Sequence, residues 1–163
     1  MVGGIILEKE NLILSKLKEK FPGFDCAADI PFERRIYMDV PSEIFLDLIG
    51  FAASELGFDH LCTITGMDSG DCFEFVYHIS DHNGIVLNLK LKAPKENPVI
   101  STVLPIFNGA TFYELELEGL LGVKVNGLKA GRQYPLPDNW PKDQYPLRKD
   151  WIPGNAKIPE GGA

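Results

Sequence analysis

The stretch Phe73-Glu74-Phe75-Val76-Tyr77-His78-Ile79-Ser80-Asp81-His82-Asn83-Gly84-Ile85-Val86-Leu87-Asn88-Leu89-Lys90-Leu91 decides the fold. Aromatic and β-branched residues fill Phe73 to Ser80, and apolar residues fill Ile85 to Leu91, so both arms read as strands. Asp81-His82-Asn83-Gly84 lies between them, and Asn-Gly is a strong hairpin signal. An antiparallel hairpin this apolar needs a layer to cover it. The flanking sequence supplies helices for that purpose.

Upstream, Ile5 to Phe21 reads as a helix, with Ile6, Ile13, Leu17 and Phe21 on one stripe. Pro22-Gly23 stops it. Arg35 to Val40 alternates, placing Ile36, Met38 and Val40 on one face of a strand. A second helix follows, with Ser42 as its N-cap and an apolar face of Ile44, Leu48, Phe51, Ala52 and Leu56. Gly57 closes it. Leu61 to Thr65 reads as a short strand and Gly66 to Gly70 as a turn. Downstream, Ala93-Pro94 to Pro98 reads as a loop and Val99 to Leu104 as a strand or short helix. Ala110 to Leu121 is a short helix ended by Gly122, and Val123-Lys124-Val125 is a short extended piece before Asn126-Gly127. The order α, β, α, several strands, then a small helix predicts an α+β two-layer domain. Its helices are expected on one face of a mixed, mostly antiparallel sheet of about five strands.

The chain has 163 residues, enough for one self-standing core. Its formal charge of −7 argues against nucleic acid and anionic lipid as partners, since both need a basic face. No run of about 18 apolar residues is present to span a membrane. The N-terminus lacks the basic region of a signal peptide. Cys26, Cys62 and Cys72 are odd in number and show no CxxC spacing, which fits reduced thiols in the cytosol.

The segment Gly131 to Ala163 is different in kind. It holds six of the twelve prolines, at 135, 137, 141, 146, 153 and 159, and both tryptophans. Proline excludes helix and central strand, whereas disordered linkers are poor in aromatics. The division that follows is a domain at 1–130 and an extended tail at 131–163. The rings of such a tail are expected to lie on a partner, or on the tail's own domain.

Two chemical readings compete with bland ones. Cys62, Cys72, His78 and His82 suggest zinc, because His-x3-His is a ligand spacing. Nine residues separate the cysteines, however, and the ordinary reading is strand and turn histidines. Glu114 and Glu118 are i and i+4 on one helix, with Glu116 between them. Such a pair can serve acid–base chemistry, yet no nucleophile or base lies near in sequence. A solvated or charge-paired acidic face is the simpler account. Phosphate loops, dinucleotide turns and nucleophile elbows do not occur.

Asn108 to Val123 resembles the signature of the C subunit of proton-pumping NADH:quinone oxidoreductase. That signature runs aromatic, Glu-Arg-Glu, two variable residues, Asp, two apolar residues, Gly. Glu114, Glu116 and Gly122 match it, while Leu115 stands at the arginine and Gly119 at the aspartate. Leu136-Pro137-Asp138-Asn139-Trp140 and Pro146-Leu147-Arg148-Lys149-Asp150-Trp151 resemble the family's ending. Leu56 to Thr65 and Phe75 to His78 are similar to its middle strands. The resemblance covers Val40 to Trp151. It also extends to the related subunit of group-4 membrane-bound nickel–iron hydrogenases and formate hydrogenlyase.

The resemblance implies a subunit without catalytic site, cofactor or metal of its own, peripheral on the cytoplasmic side of the membrane. NAD, flavin, iron–sulfur or nickel–iron centres are then expected on partner subunits. It also implies docking of the tail on the large subunit that is homologous to the hydrogenase large subunit. Glu114, Glu116, Trp140, Tyr145, Pro146, Leu147, Arg148, Lys149, Asp150 and Trp151 are the residues expected to carry that docking. The alternative is an autonomous binding module whose tail folds back on its own domain.

Overall fold

A computed structural model describes residues 7–24, 28–129 and 134–153. Ile5, Ile6, Cys26, the first residues of the tail (131–133) and its end (154–163) lie outside the described residues. Among the described residues the elements are α1 (Leu7–Lys20), β1 (Ala28–Phe32), β2 (Arg35–Asp39), α2 (Ser42–Glu55), β3 (His60–Asp68), β4 (Cys72–Ser80) and β5 (Val86–Pro94). They continue with β6 (Val99–Ser101), a short 3-10 turn at Asn108–Ala110, α3 (Thr111–Leu121) and β7 (Lys124–Asn126).

The main sheet has five strands in the order β1-β2-β5-β4-β3, and it is mixed and mostly antiparallel. This is the α+β architecture expected from the hairpin and its flanking helices. A separate two-stranded parallel sheet joins β6 to β7, with Ile100 opposite Val125. The chain forms two compact units. One comprises Met1–Thr65 and Phe75–Lys92, the other Gly66–Glu74 and Ala93–Ala163.

In the first unit, β2 pairs parallel with β5, so that Ile36 meets Leu87 and Met38 meets Leu89. A parallel pair needs a crossover, and α2 lies within it. Ile36, Met38, Leu87, Leu89, Tyr77 and Ile79 are all buried. Phe45 of α2 packs on Tyr77 with ring centroids 4.6 Å apart, and Phe21 meets Phe51 edge-on at 6.0 Å. Glu10 of α1 is buried, and its Oε1 accepts the Arg34 N–H at 2.8 Å. That bond fastens α1 to the β1–β2 turn, where Arg34 sits at φ 60.

Several local expectations need correction. β1 contains Pro31, which conceals a strand in sequence. As an edge strand it has one side free of ladder bonds, where proline is tolerated. α2 is preceded by Pro41 at the cap position, with no side-chain cap bond; Ser42 is its first residue. Its buried face is Phe45, Leu48, Ile49 and Ala52, rotated by one position from the stripe through Ile44 and Phe51. β3 continues through Gly66 and Met67 to Asp68, so the turn is shorter than expected and starts at Ser69. Ala93 and Pro94 are the end of β5 and not loop. Val99–Ser101 is strand. In the hairpin, Asp81 organises the turn. Its Oδ1 accepts from Asn83 N at 2.9 Å and Ile85 N at 2.8 Å, and Gly84 supplies the positive φ.

Candidate functional site

The second unit is built around α3. Gly122 ends that helix in the left-handed region, φ 69, with its N–H on the Glu118 carbonyl at 3.1 Å. Glu114 is fully buried, 0 % exposed. Its Oε2 accepts from Thr102 Oγ1 at 2.6 Å and its Oε1 from Val103 N at 2.7 Å. Glu118 Oε1 accepts from Val125 N at 3.0 Å. Two of the three glutamates therefore secure backbone beside β6 and within β7. Burial raises the pKa of Glu114, the Glu118 charge adds to this, and the bonds from Thr102 and Val103 oppose it. Glu114 presents no surface to a partner; Glu116 lies exposed on the same helix.

Residues 134–153 are laced to this unit. The Tyr134 carbonyl crosses α3 at Gly119, where a Cβ would collide with it. Leu147 N donates to Leu120 O at 3.1 Å. Arg148 Nε donates to Leu121 O at 2.7 Å and its Nη2 reaches Gly122 O at 3.4 Å. A cation on the last carbonyls of a helix also meets the negative end of its dipole. The Arg148 guanidinium lies 4.6 Å from the Tyr145 ring centroid and 5.2 Å from that of Phe73. A Cβ at position 122 would meet the Tyr145 ring at 2.5 Å, so glycine there serves both the turn and the close approach.

Asp68, at the end of β3, holds the segment a second time. Its side chain is 1 % exposed, and Lys95 Nζ sits 2.8 Å from Oδ2. Lys149 N donates to the same oxygen at 2.9 Å, and Gly70 N to Oδ1 at 2.9 Å. Desolvation opposes ionisation of Asp68. The bonds from Lys95, Lys149 and Gly70 outweigh it and bring the carboxyl down to about 2.

The two tryptophans form a pair, with ring centroids 6.2 Å apart. Trp140 Nε1 donates to Gln144 O at 2.8 Å and Trp151 Nε1 to Gln144 Oε1 at 3.1 Å. Both rings are half-buried, as are Tyr145 and Pro146. Tyr145, Arg148, Asp150 and Trp151 come together around a cleft of about 390 Å³, with Asp143, Gln144 and Ile152 completing its wall. Glu114 and Glu116 are not part of it. Sequence reasoning missed Asp68, Lys95 and Gln144, whose partners lie far along the chain or in the backbone. It read Gly122 as the helix stop and Gly119 only as a motif position, and neither as a point of close approach by the segment.

The histidines have other uses. His78 Nδ1 lies 2.6 Å from Asn88 Oδ1, and its Nε2 3.1 Å from Thr65 Oγ1. Asn88 Nδ2 donates to Ile36 O, so Asn88 Oδ1 accepts and His78 carries its proton on Nδ1. His82 pairs with Asp59 at 3.2 Å. Among the described residues no group of three or more His, Cys, Asp or Glu is placed to hold a metal ion. Among them, too, no helix is long and apolar enough to cross a membrane.

Fold and site together define an α+β protein in which residues 134–153 are bonded to α3 and to Asp68 within the second unit. Residues 38–157 match the family model described as respiratory-chain NADH dehydrogenase, 30 Kd subunit, and the chain belongs to that family. The C subunit of F(420)H(2) dehydrogenase from Methanosarcina mazei is 32% identical, over 85% of this chain and 89% of that protein. The beta subunit of the membrane-bound hydrogenase from Pyrococcus furiosus is 27% identical, over 88% of this chain and 87% of its own. The C subunit of NADH-quinone oxidoreductase from Geobacter sulfurreducens is 32% identical, over 89% of this chain and 91% of its own. Among solved structures, a chain of the membrane-bound sulfane sulfur reductase, an archaeal respiratory membrane complex, superposes with a TM-score of 0.79. It is 25% identical and covers 91% of this chain and 88% of that one. A trypsin-resistant fragment of Nqo5 superposes with a TM-score of 0.64 at 20% identity, over 76% of this chain and 99% of the fragment, and shows the same fold.

Proposed function

We propose that this chain is a structural subunit, without chemistry of its own, of a membrane-associated, electron-transferring oxidoreductase complex. Its C-terminal segment docks on the large subunit homologous to the hydrogenase large subunit. The chain sits peripherally on the cytoplasmic side of the membrane. The NAD, flavin, iron–sulfur or nickel–iron centres belong to neighbouring subunits. Support comes from the relatives, whose names place them in such complexes. The observation that carries the docking role is the C-terminal segment itself. It is fixed in place by Arg148 and Lys149 while Leu147 and Ile152 stand 52% and 62% exposed. Apolar side chains held outward on a fixed backbone suit an interface core.

The test is truncation after Gly131 in cells that also make the large subunit. Co-purification is expected to be lost, and a truncated chain that assembles normally refutes the docking role. The thermal midpoint of the truncated chain measures how much of the second unit depends on the segment.

A second reading has its own observation. The bonds of Arg148 and Lys149 within the unit favour a module whose segment serves only to complete its own fold. In that case truncation lowers the midpoint, and outward-facing substitutions leave assembly untouched.

A further inference from the structure

The three glutamates of α3 are used unequally. Glu114 accepts from Thr102 and Val103, and Glu118 from Val125. Glu116 is exposed, and among the described residues nothing bonds its carboxylate. Phe112, Glu116 and Gly119 are spaced i, i+4 and i+7, which sets them on one stripe of the helix. The Tyr134 backbone lies against Gly119, and the Tyr134 ring meets Phe112 with centroids 5.3 Å apart. The Tyr134 side chain therefore runs along this stripe, past the level of Glu116. Both rings stay open to solvent, Phe112 at 63% and Tyr134 at 40%.

The basic residues of the unit leave this stripe unfilled. Arg148 is committed to the α3 carbonyls, Tyr145 and Phe73, and Lys95 to Asp68. Lys124, Lys129, Lys142 and Lys149 are exposed, and none of them pairs with Glu116 or lies over either ring. We infer that Phe112, Tyr134 and Glu116 form a receptor for one arginine side chain of the large subunit. A guanidinium is planar and cationic, so its flat face can lie on the rings while its edge bonds the carboxylate. Lysine satisfies the charge but lacks the planar fork. A hydrocarbon side chain leaves Glu116 without a counter-charge, and an acidic one is repelled. Arg148 shows the same stacking inside this unit, 4.6 Å from the Tyr145 centroid and 5.2 Å from that of Phe73. The inference rests on the proposed docking on the large subunit and adds a contact on α3 to it.

The experiment co-expresses the large subunit with the full chain and with variants, and reads recovery of the complex at low and high salt. The thermal midpoint is read on each isolated chain. Phe112→Leu keeps an apolar side chain without a π face, and Glu116→Gln keeps the shape without the charge. Each is expected to hold the wild-type midpoint while recovery falls about tenfold or more, the scale of a desolvated cation–π contact. Phe112→Trp retains a π face and is expected to retain recovery. Wild-type recovery is expected to fall with salt, and that of Glu116→Gln to depend on salt less. A lowered midpoint in Phe112→Leu overturns the claim that the ring is kept for a partner. Recovery as low in Phe112→Trp as in Phe112→Leu overturns the role of the π face. Arg132, two positions before Tyr134, lies outside the described residues and is the internal competitor. If Arg132→Gln and Glu116→Gln lower the midpoint equally, and the double variant lowers it no further, Arg132 fills the receptor and the inference fails. If Phe112→Leu and Glu116→Gln assemble as wild type while the chain truncated after Gly131 does not, the receptor is wrong and docking by the segment stands. If all three assemble normally, docking by the segment fails as well.

Discussion

Replacing Asp68 by asparagine tests how the C-terminal segment is held. The carboxylate accepts from Gly70 N and Lys149 N and pairs with Lys95. Asparagine keeps one carbonyl oxygen, so one backbone N–H loses its acceptor and the Lys95 ammonium loses its counter-ion. A hydrogen bond to a charged group contributes about 1.5–3 kcal/mol, and a loss of about 2–3 kcal/mol is expected at neutral pH. The pH dependence follows from the depressed pKa. The carboxyl goes from 3.8 to about 2 on folding, so its contribution is complete above pH 3.8 and is lost as pH falls toward 2. At 1.36 kcal/mol per unit, discounted for solvent screening around Lys95, the pH-dependent part is about 1–2 kcal/mol. Roughly half of it is gone near pH 3 by linkage. Urea unfolding of both proteins at neutral pH and near pH 3 measures the gap. The gap is expected to narrow in acid. A gap that is equal at both pH values, or absent at neutral pH, refutes the assignment of Asp68 as an ionised anchor.

Further outcomes follow from the other contacts of the second unit. Glu114→Ala removes both acceptor oxygens from Thr102 and Val103 and is expected to cost about 2–4 kcal/mol in urea unfolding. Glu114→Gln can still bond both groups and is expected to cost less than about 1 kcal/mol. Because burial raises the Glu114 pKa, its ionisation opposes folding; that penalty is relieved as pH falls through the raised folded value toward 4.5. It is absent in the Gln variant, which a stability–pH profile reads. Gly119→Ala sets a methyl against the Tyr134 carbonyl and is expected to cost about 1–3 kcal/mol, with red-shifted tryptophan emission as the segment lifts. Because both tryptophans of the chain lie in the segment, that emission should change at lower urea than the far-ultraviolet dichroism if the segment leaves first.

Much of the fold is legible because it is written in side-chain period. The β4–β5 hairpin, α2 and α3 follow from alternation and from glycine stops. What fails does so for identifiable reasons. Pro31 hides β1, because sequence does not reveal that a strand is an edge. The α2 stripe is ambiguous because Phe45 and Ile49 compete with Ile44 and Phe51 for the inward face; in the fold Phe45 packs on Tyr77, far along the chain. In sequence β3 reads as ending at Thr65, before Gly66, a residue whose weak strand preference is overridden by its place in the sheet. At the site, the Pro146 to Trp151 stretch stands out by composition, yet the direction each side chain faces does not. Arg148 and Leu147 are neighbours with opposite fates, set by carbonyls of α3 that have no signature in sequence. Gly119 reads as a lost aspartate, whereas the backbone of Tyr134 occupies the space a side chain would need.

The Asp68 anchor also bears on synthesis. Its carboxylate lies at the end of β3, in the stretch Gly66–Glu74 that belongs to the second unit but interrupts the first in sequence. The first unit has all of its residues once Lys92 has been made, and domains tend to fold N-terminal first during translation. The Asp68 carboxylate must then wait for Lys95 and, much later, for the backbone of Lys149, 81 positions downstream. A ribosome that stops before Lys149 therefore releases a chain with a complete first unit and an unfilled acceptor in the second. The same bond that seats the C-terminal segment thus marks whether synthesis has passed Lys149, before any partner is met.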